Sequence, residues 1–411
     1  MKGFTTQVLH SRSPKKDPHG ALRMPVYDGA AFEFPSSRDL QLSFEGKAPA
    51  HVYSRISNPT VEDFELKVKQ ISGATGVVAV NSGMAAISTV ILALAHAGAN
   101  IVTTRYLFGN TLSFFQTTLK TWGLEVRFAD MSEPETVAAA IDENTCAVFL
   151  ETITNPQLEV ADIDTLAVIT RSRGIPLLLD GTMTTPYLFR SKEHGVAVEM
   201  ISSTKYISGG ATSVGGLIID NGNYDWALHP SLKKEAIKYG PFAFLTRLRR
   251  EVFRNMGTCL SPHNAYLQTL GLETMALRID KCCSNAFGLA KHLESLNSVK
   301  NVHYPGLASS PYQATASRLF KNRYGSLLTF RLESREHCYR FMDALHLIRR
   351  ATNIHDNKTL IIHPASTIFC EYQKESRDSM GVYDNMIRLS VGIEDEADLL
   401  DDINQAFENG G

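Results

Sequence analysis

The sequence predicts an α/β fold with a mostly parallel central sheet and a smaller C-terminal α/β domain, and three observations predict it. Short apolar runs alternate with helix-length amphipathic stretches from about residue 75 onward. Most of these runs are continuously apolar rather than alternating, as strands covered on both faces are. A long helical stretch opened by Ser261-Pro262 then separates them from a second, shorter set of runs.

Residues 1–60 are rich in Pro, Gly, Ser and charge, with little periodicity, and read as an irregular arm that wraps either its own core or a neighbouring subunit. The large domain, 61–258, carries the runs GVVAV (76–80), ANIVTT (99–104), LEVRFA (124–129), CAVFLE (146–151), IPLLLD (175–180), VEMISST (198–204) and SVGGLIID (213–220). Segments such as MAAISTVILALAHAG are long enough for the right-handed crossover helices that parallel neighbours need. The interval 204–213 is too short for one, so the last pair is expected to be antiparallel. The C-terminal domain, 259–411, starts with Ser261 as cap and Pro262 at the first helical position, where its missing N–H costs nothing. Its helix is expected to bend or break near Gly271, and YGSLLTF (324–330), a helix over about 335–347 and MIRLSVGIE (386–394) follow.

Composition narrows the function. At about 150 residues per domain, 411 residues suggest two or three domains. Hydrophobic residues at 44% and charged residues at 20% are those of a globular chain. Lys and Arg number 41 against 43 Asp and Glu, so no global basic field exists to hold nucleic acid or an anionic membrane. No run approaches the roughly eighteen apolar residues of a membrane span, and the first residues lack a signal peptide's apolar stretch. Six cysteines form no C-x-x-C pair, which suggests a reduced, cytoplasmic protein. The 13 histidines show no metal-ligand spacing, so no metal is expected. G-x-G-x-x-G, P-loop and H-E-x-x-H motifs are missing too.

In an open parallel sheet, ligands bind at the carboxyl ends of the strands. After GVVAV come Ser82-Gly83-Met84, small residues opening a helix, whose free N–H groups and dipole make an anion cradle. IPLLLD ends in Asp180, and Lys205 follows the VEMISST run. A lysine at the end of a buried run is desolvated, which lowers its pKa and frees the amine for imine formation. Each feature alone has a plain structural reading: a tight turn, a helix cap, a surface cation. Together they suit a cofactor with a phosphate, an aldehyde and a pyridine nitrogen. Pyridoxal 5′-phosphate has all three, with Asp180 keeping the ring nitrogen protonated and Ser202 and Thr204 joining the phosphate site.

The strings SSTKYISGG, YSRISNPT (53–60), NSGMAA (81–86), ETITNP (151–156), DGTMTTP (180–186), SPHNAYLQTLGLET (261–274), HPAST (363–367) and RLSVGIED (388–395) resemble the pyridoxal-phosphate enzymes of cysteine and methionine metabolism over nearly the whole chain. YGPFAFLTRLRREVFRNMG, YPGLASSPY and TNIHDNKTLIIHPAST are most similar to the O-acetylhomoserine sulfhydrylase branch. The resemblance implies fold type I, the aspartate-aminotransferase-like fold, and a Schiff base at Lys205. It also implies a phosphate site of Ser82, Gly83, Met84, Ser202 and Thr204, completed by Tyr53 and Arg55 from a neighbouring subunit of a homotetramer built from dimers. Asn155 and Thr182 would lie by the ring, Asp180 at its nitrogen, and Arg388 with Asn353 at the substrate carboxylate. The implied reaction is γ-replacement on O-acetyl-L-homoserine with sulfide, or an equivalent sulfur donor, giving homocysteine and acetate in methionine biosynthesis. Methionine γ-lyase, cystathionine γ-synthase and O-succinylhomoserine sulfhydrylase activities remain alternatives, as does a non-catalytic binding protein.

Two positions depart from the family's pattern. Phe108 stands where a tyrosine usually stacks on the ring, so it can stack but cannot transfer a proton. Those steps then fall to Lys205, Tyr53 or water; Tyr106 is two residues away, and the sequence does not place its phenol. Phe369 stands where related chains commonly have histidine, and is expected to alter access to the site or the choice of sulfur donor. The donor could be free sulfide, a small thiol or a carrier-protein thiol. The final Gly410-Gly411 resembles the tails of such carriers, although a flexible end explains it more simply.

Overall fold

Seven strands form the larger sheet: β1 (Gly76–Val80), β2 (Asn100–Thr103), β3 (Glu125–Phe128), β4 (Thr145–Glu151), β5 (Leu177–Asp180), β6 (Val198–Ile201) and β7 (Gly216–Asp220). They come from a computed structural model that describes residues 2–11 and 17–410; Gly411 lies outside the described residues. The order is β1-β7-β6-β5-β4-β2-β3. Only β7 runs against its neighbours, pairing antiparallel with both β1 and β6, so the other six strands are parallel. The expected antiparallel pair is therefore present, and β7 joins a second such pair with β1. β2, β4, β6 and β7 are buried at every position, which is why their sequences run apolar without alternation.

The smaller sheet joins β8 (Lys300–His303), β9 (Leu327–Arg331), β10 (Arg349–Arg350), β11 (Leu360–Ile362) and β12 (Met386–Ser390) in the order β10-β11-β12-β9-β8. Ser261 caps its connecting helix as expected, accepting from Asn264 N–H at 3.2 Å. The expected break near Gly271 falls three residues on, at Thr274. The helix runs Pro262–Glu273, and a second begins at Met275. Gly271 faces the Ile207 carbonyl, where a Cβ would collide with backbone. The glycine serves this close crossing beside Lys205, and the helix continues through it.

Two helices interrupt the arm: α1 (Phe4–Leu9) and α2 (Ser37–Phe44). α1 folds onto its own chain, with Val8 only 1% exposed and Phe4 against Tyr187 at 4.9 Å. Helix α3 (Pro59–Ser72) follows, capped by Asn58, and α4 (Gly83–Leu94) follows β1. No helix of the described residues is long and apolar enough to cross a membrane.

Candidate active site

The carboxyl ends of β1, β4, β5 and β6 meet at one cavity of about 290 Å3. The cavity is lined by Ser82, Gly83, Met84, Phe108, Asn155, Asp180, Thr182, Ser202, Thr204, Lys205 and Arg388. At the β1 end, the Ser82 hydroxyl accepts Ala85 N–H at 3.0 Å and so starts α4, whose positive dipole end faces the cavity. A Cβ on Gly83 would sit 2.6 Å from Ser202 Cβ, so only glycine lets the turn approach this closely. The Thr204 hydroxyl is engaged with Gly215, donating to its carbonyl at 3.2 Å and accepting its N–H at 3.0 Å.

Asp180 ends β5, and its carboxylate accepts Thr182 N–H at 2.9 Å. Burial pushes its pKa up, while the Thr182 hydroxyl and N–H pull it down. A cation at the ring position would lower it further. The Thr182 hydroxyl also accepts Ser202 N–H at 2.8 Å, which joins the β5 and β6 ends.

Lys205 Nζ donates to Asn353 Oδ1 at 2.6 Å. Burial first, then the Arg388 charge, brings its ammonium down to about 8, against the pull of Asp356. Arg388, on the central strand β12, is 2% exposed. Its Nη1 donates to Asn155 Oδ1 at 3.1 Å and its Nη2 to the Asn353 carbonyl at 3.4 Å, but its buried Nε has no partner. A desolvated guanidinium held only by neutral acceptors is a site for an anion.

Tyr53 and Arg55 are not brought to this cavity by their own chain. Tyr53 is 43% exposed, and Arg55 donates to the Arg254 carbonyl at 2.5 Å while lying over the Tyr53 ring. Tyr106 does not line the cavity either: burial and the nearby Glu159, Asp130 and Tyr383 push its phenol up. Its phenol is therefore not a substitute for the missing tyrosine. The Phe369 ring is fully buried beneath Gly109 and packs near Tyr372 at 6.0 Å, so it supports the Phe108 turn without lining the cavity itself.

The sequence pattern of the family described as Cys/Met metabolism PLP-dependent enzymes matches residues 5–408. The chain belongs to this family. It is 34% identical to the O-acetyl-L-homoserine sulfhydrylase of Corynebacterium glutamicum, over 98% of this chain and 97% of that one. The O-acetylhomoserine sulfhydrylase structure of Wolinella succinogenes is 50% identical with a TM-score of 0.80, covering 98% of this chain and 99% of that one. A Campylobacter jejuni structure holding N′-pyridoxyl-lysine-5′-monophosphate is 32% identical with a TM-score of 0.92, covering 99% of this chain and all of that one.

The enzyme is thus PLP-dependent, with fold type I architecture. The cavity suits the cofactor: a glycine-tightened helix start for phosphate, a half-buried carboxylate for the ring nitrogen and a desolvated lysine for the aldehyde. Sequence reasoning did not single out Glu151, Thr111, Met183, Val214, Thr352 or Ile354, which also line the cavity. Glu151 was detectable, because it ends a predicted strand just as Asp180 does. Met183, Thr352 and Ile354 lie within the strings that carry the family resemblance, whereas Thr111 and Val214 arrive through tertiary packing.

Proposed function

We propose that this enzyme carries out γ-replacement on O-acetyl-L-homoserine, exchanging acetate for sulfide to give L-homocysteine in methionine biosynthesis. The observation that carries this reading is Arg388, a buried cation without a carboxylate partner, beside the cavity that also holds Lys205 and Asp180. An amino-acid carboxylate suits it, and the fork geometry suits bidentate pairing.

Bound pyridoxal phosphate supplies an electron sink for negative charge at the substrate's Cα and Cβ. Asp180 would hold the proton at the ring nitrogen, with Asn155 beside the ring hydroxyl and Phe108 over the ring. Ser82, Gly83, Met84, Ser202 and Thr204 would hold the phosphate. Once displaced by the substrate amine, Lys205 Nζ would take the Cα proton and pass it on to the cofactor side, which frees its lone pair to take a second proton from Cβ as acetate leaves Cγ. Sulfide would then add at Cγ, and Lys205 would return protons to Cβ and Cα one at a time. Asn353 receives the Lys205 ammonium between these steps.

Residues 1–60 act as an arm that carries Tyr53 and Arg55 to the phosphate of a second copy, beside the 61–258 cofactor domain and the 259–411 domain. The working unit is a homotetramer of such dimers in the cytoplasm. The acetyl ester is favoured because the O-acetylhomoserine sulfhydrylases of Wolinella succinogenes and Corynebacterium glutamicum are 50% and 34% identical to this chain.

The test is homocysteine formation with the acetyl or succinyl ester and each sulfur donor, free sulfide, a small thiol or a carrier-protein thiol, alongside ketobutyrate release from methionine. Homocysteine from the acetyl ester supports the reading. Ketobutyrate from methionine as the main product would replace it with a lyase, cystathionine from cysteine with a synthase, and an active Lys205→Ala enzyme would refute it.

A further inference from the structure

Glu151 closes β4 in direct register with Asp180 on β5, so the two side chains leave neighbouring strands on the same face. Both line the cavity, and Glu151 is only 5% exposed. Each of its oxygens is used. Oε1 accepts Phe108 N–H at 2.7 Å, and Oε2 accepts Asn155 N–H at 3.2 Å. These amides belong to two separate turns, one after β2 and one after β4. The first presents the Phe108 ring to the cavity, and the second presents Asn155, whose side chain accepts from Arg388.

A second carboxyl beside Asp180 is costly, since burial and the Asp180 charge both oppose its ionisation. Local turn chemistry does not require it. The Phe108 turn is supported from below by Phe369 and by Tyr372, whose hydroxyl donates to the Gly109 carbonyl at 3.4 Å. Those contacts hold Gly109, whereas only Glu151 among the described residues holds the Phe108 amide and ties it to Asn155.

We propose that Glu151 is a positioning residue, a two-pronged brace that sets the spacing between Phe108 and Asn155 across the cofactor cavity. This rests on the placement of Phe108 and Asn155 around pyridoxal phosphate given above. One carboxyl group thereby couples the side that covers the ring to the side that orients the carboxylate clamp. A glutamine retains one accepting oxygen and presents an NH2 to the other amide, so it can brace only one turn.

Hydrogen exchange of the apoenzyme and equilibrium binding of pyridoxal phosphate test this without any turnover. In Glu151→Ala, amides of 105–112 and 152–158 should exchange roughly tenfold faster or more, and cofactor affinity should fall by a similar factor. Glu151→Gln should free one of the two segments and lose less affinity. Leu150→Ala, which opens a cavity on the opposite face of the same strand, serves as the control: it should lower Tm while leaving both segments and cofactor affinity near wild type. Wild-type exchange and affinity in Glu151→Ala would overturn the proposal. Faster exchange spread evenly over the chain, as in general destabilisation, would overturn it too. Failure of the wild-type protein to bind pyridoxal phosphate would instead strike the functional reading, and the exchange measurement would still decide the brace.

Discussion

Lys205 Nζ and Asn353 Oδ1 lie 2.6 Å apart, so the site's half-buried lysine rests against a neutral amide. A carboxylate there would hold the ammonium form, while an amide leaves burial and Arg388 free to lower the lysine to about 8. Between about pH 8 and the ordinary lysine range, the unfolded chain keeps a proton that the native chain has released. In the apoprotein, Lys205 therefore contributes stability that grows with pH across that window.

Covalent capture of pyridoxal phosphate by the apoprotein, followed by its visible absorbance, should accelerate with pH to a midpoint near 8. Lys205→Ala should capture none. Asn353→Asp should move the midpoint upward by roughly one unit or more; an unmoved midpoint would mean that the 2.6 Å contact does not set the lysine's basicity.

Replacing Arg388 by methionine removes a buried cation that has no carboxylate partner. Thermal stability should hold or rise, because a desolvated charge is lost. Catalytic efficiency should fall by about 2–5 kcal/mol of transition-state binding, on the order of thirty- to several-thousand-fold in kcat/KM. The cofactor's absorbance should remain. Stability by calorimetry and steady-state kinetics separate these two effects.

Glu199 lies fully buried on β6, accepts the Ser191 hydroxyl at 2.5 Å, and is pushed up to about 8 by burial and, more weakly, by Asp180. From the usual carboxylate range to about 8, the native chain binds a proton that the unfolded chain has lost. Stability therefore falls with rising pH, by about 1.4 kcal/mol per unit from this group. Glu199→Gln keeps an acceptor for Ser191 and should flatten that slope, as urea titrations of the apoprotein at pH 6 and 8 would show. Equal slopes would place the proton elsewhere.

Arg55→Ala and Lys205→Ala should each be inactive. If Arg55 serves a second copy, mixing them after dissociation should restore roughly a quarter of the wild-type activity, because hybrid dimers contain one intact site. No recovery would mean that Arg55 acts within its own chain or not at all.

Much of the site was legible because the sheet is parallel: Asp180, Lys205 and the Ser82-Gly83 turn all follow apolar runs, and chemistry collects at such ends. The strand runs themselves were plain, although VEMISST stops at Ile201 because the backbone turns to present the lysine. Other features depended on three-dimensional packing. Gly271 reads as a break on sequence, but its lack of a side chain serves a crossing with Ile207, 64 residues earlier in the chain. Phe369 reads as a site residue by comparison with its family, yet its ring is spent beneath Gly109. Arg388 was found through resemblance, and its isolation from any carboxylate became visible only once β12 was placed beside β9 and β11.

Because β7 returns antiparallel to β6, the segment between them leaves and re-enters the sheet at the same end of the strands, and the reciprocal bonds of Thr204 with Gly215 cinch its two ends together. The main chain around Lys205 is thus a short closed loop with little slack. Whatever travel the amine needs between its successive partners must come from rotation about its own four-carbon stem, as a hand works from a clamped wrist.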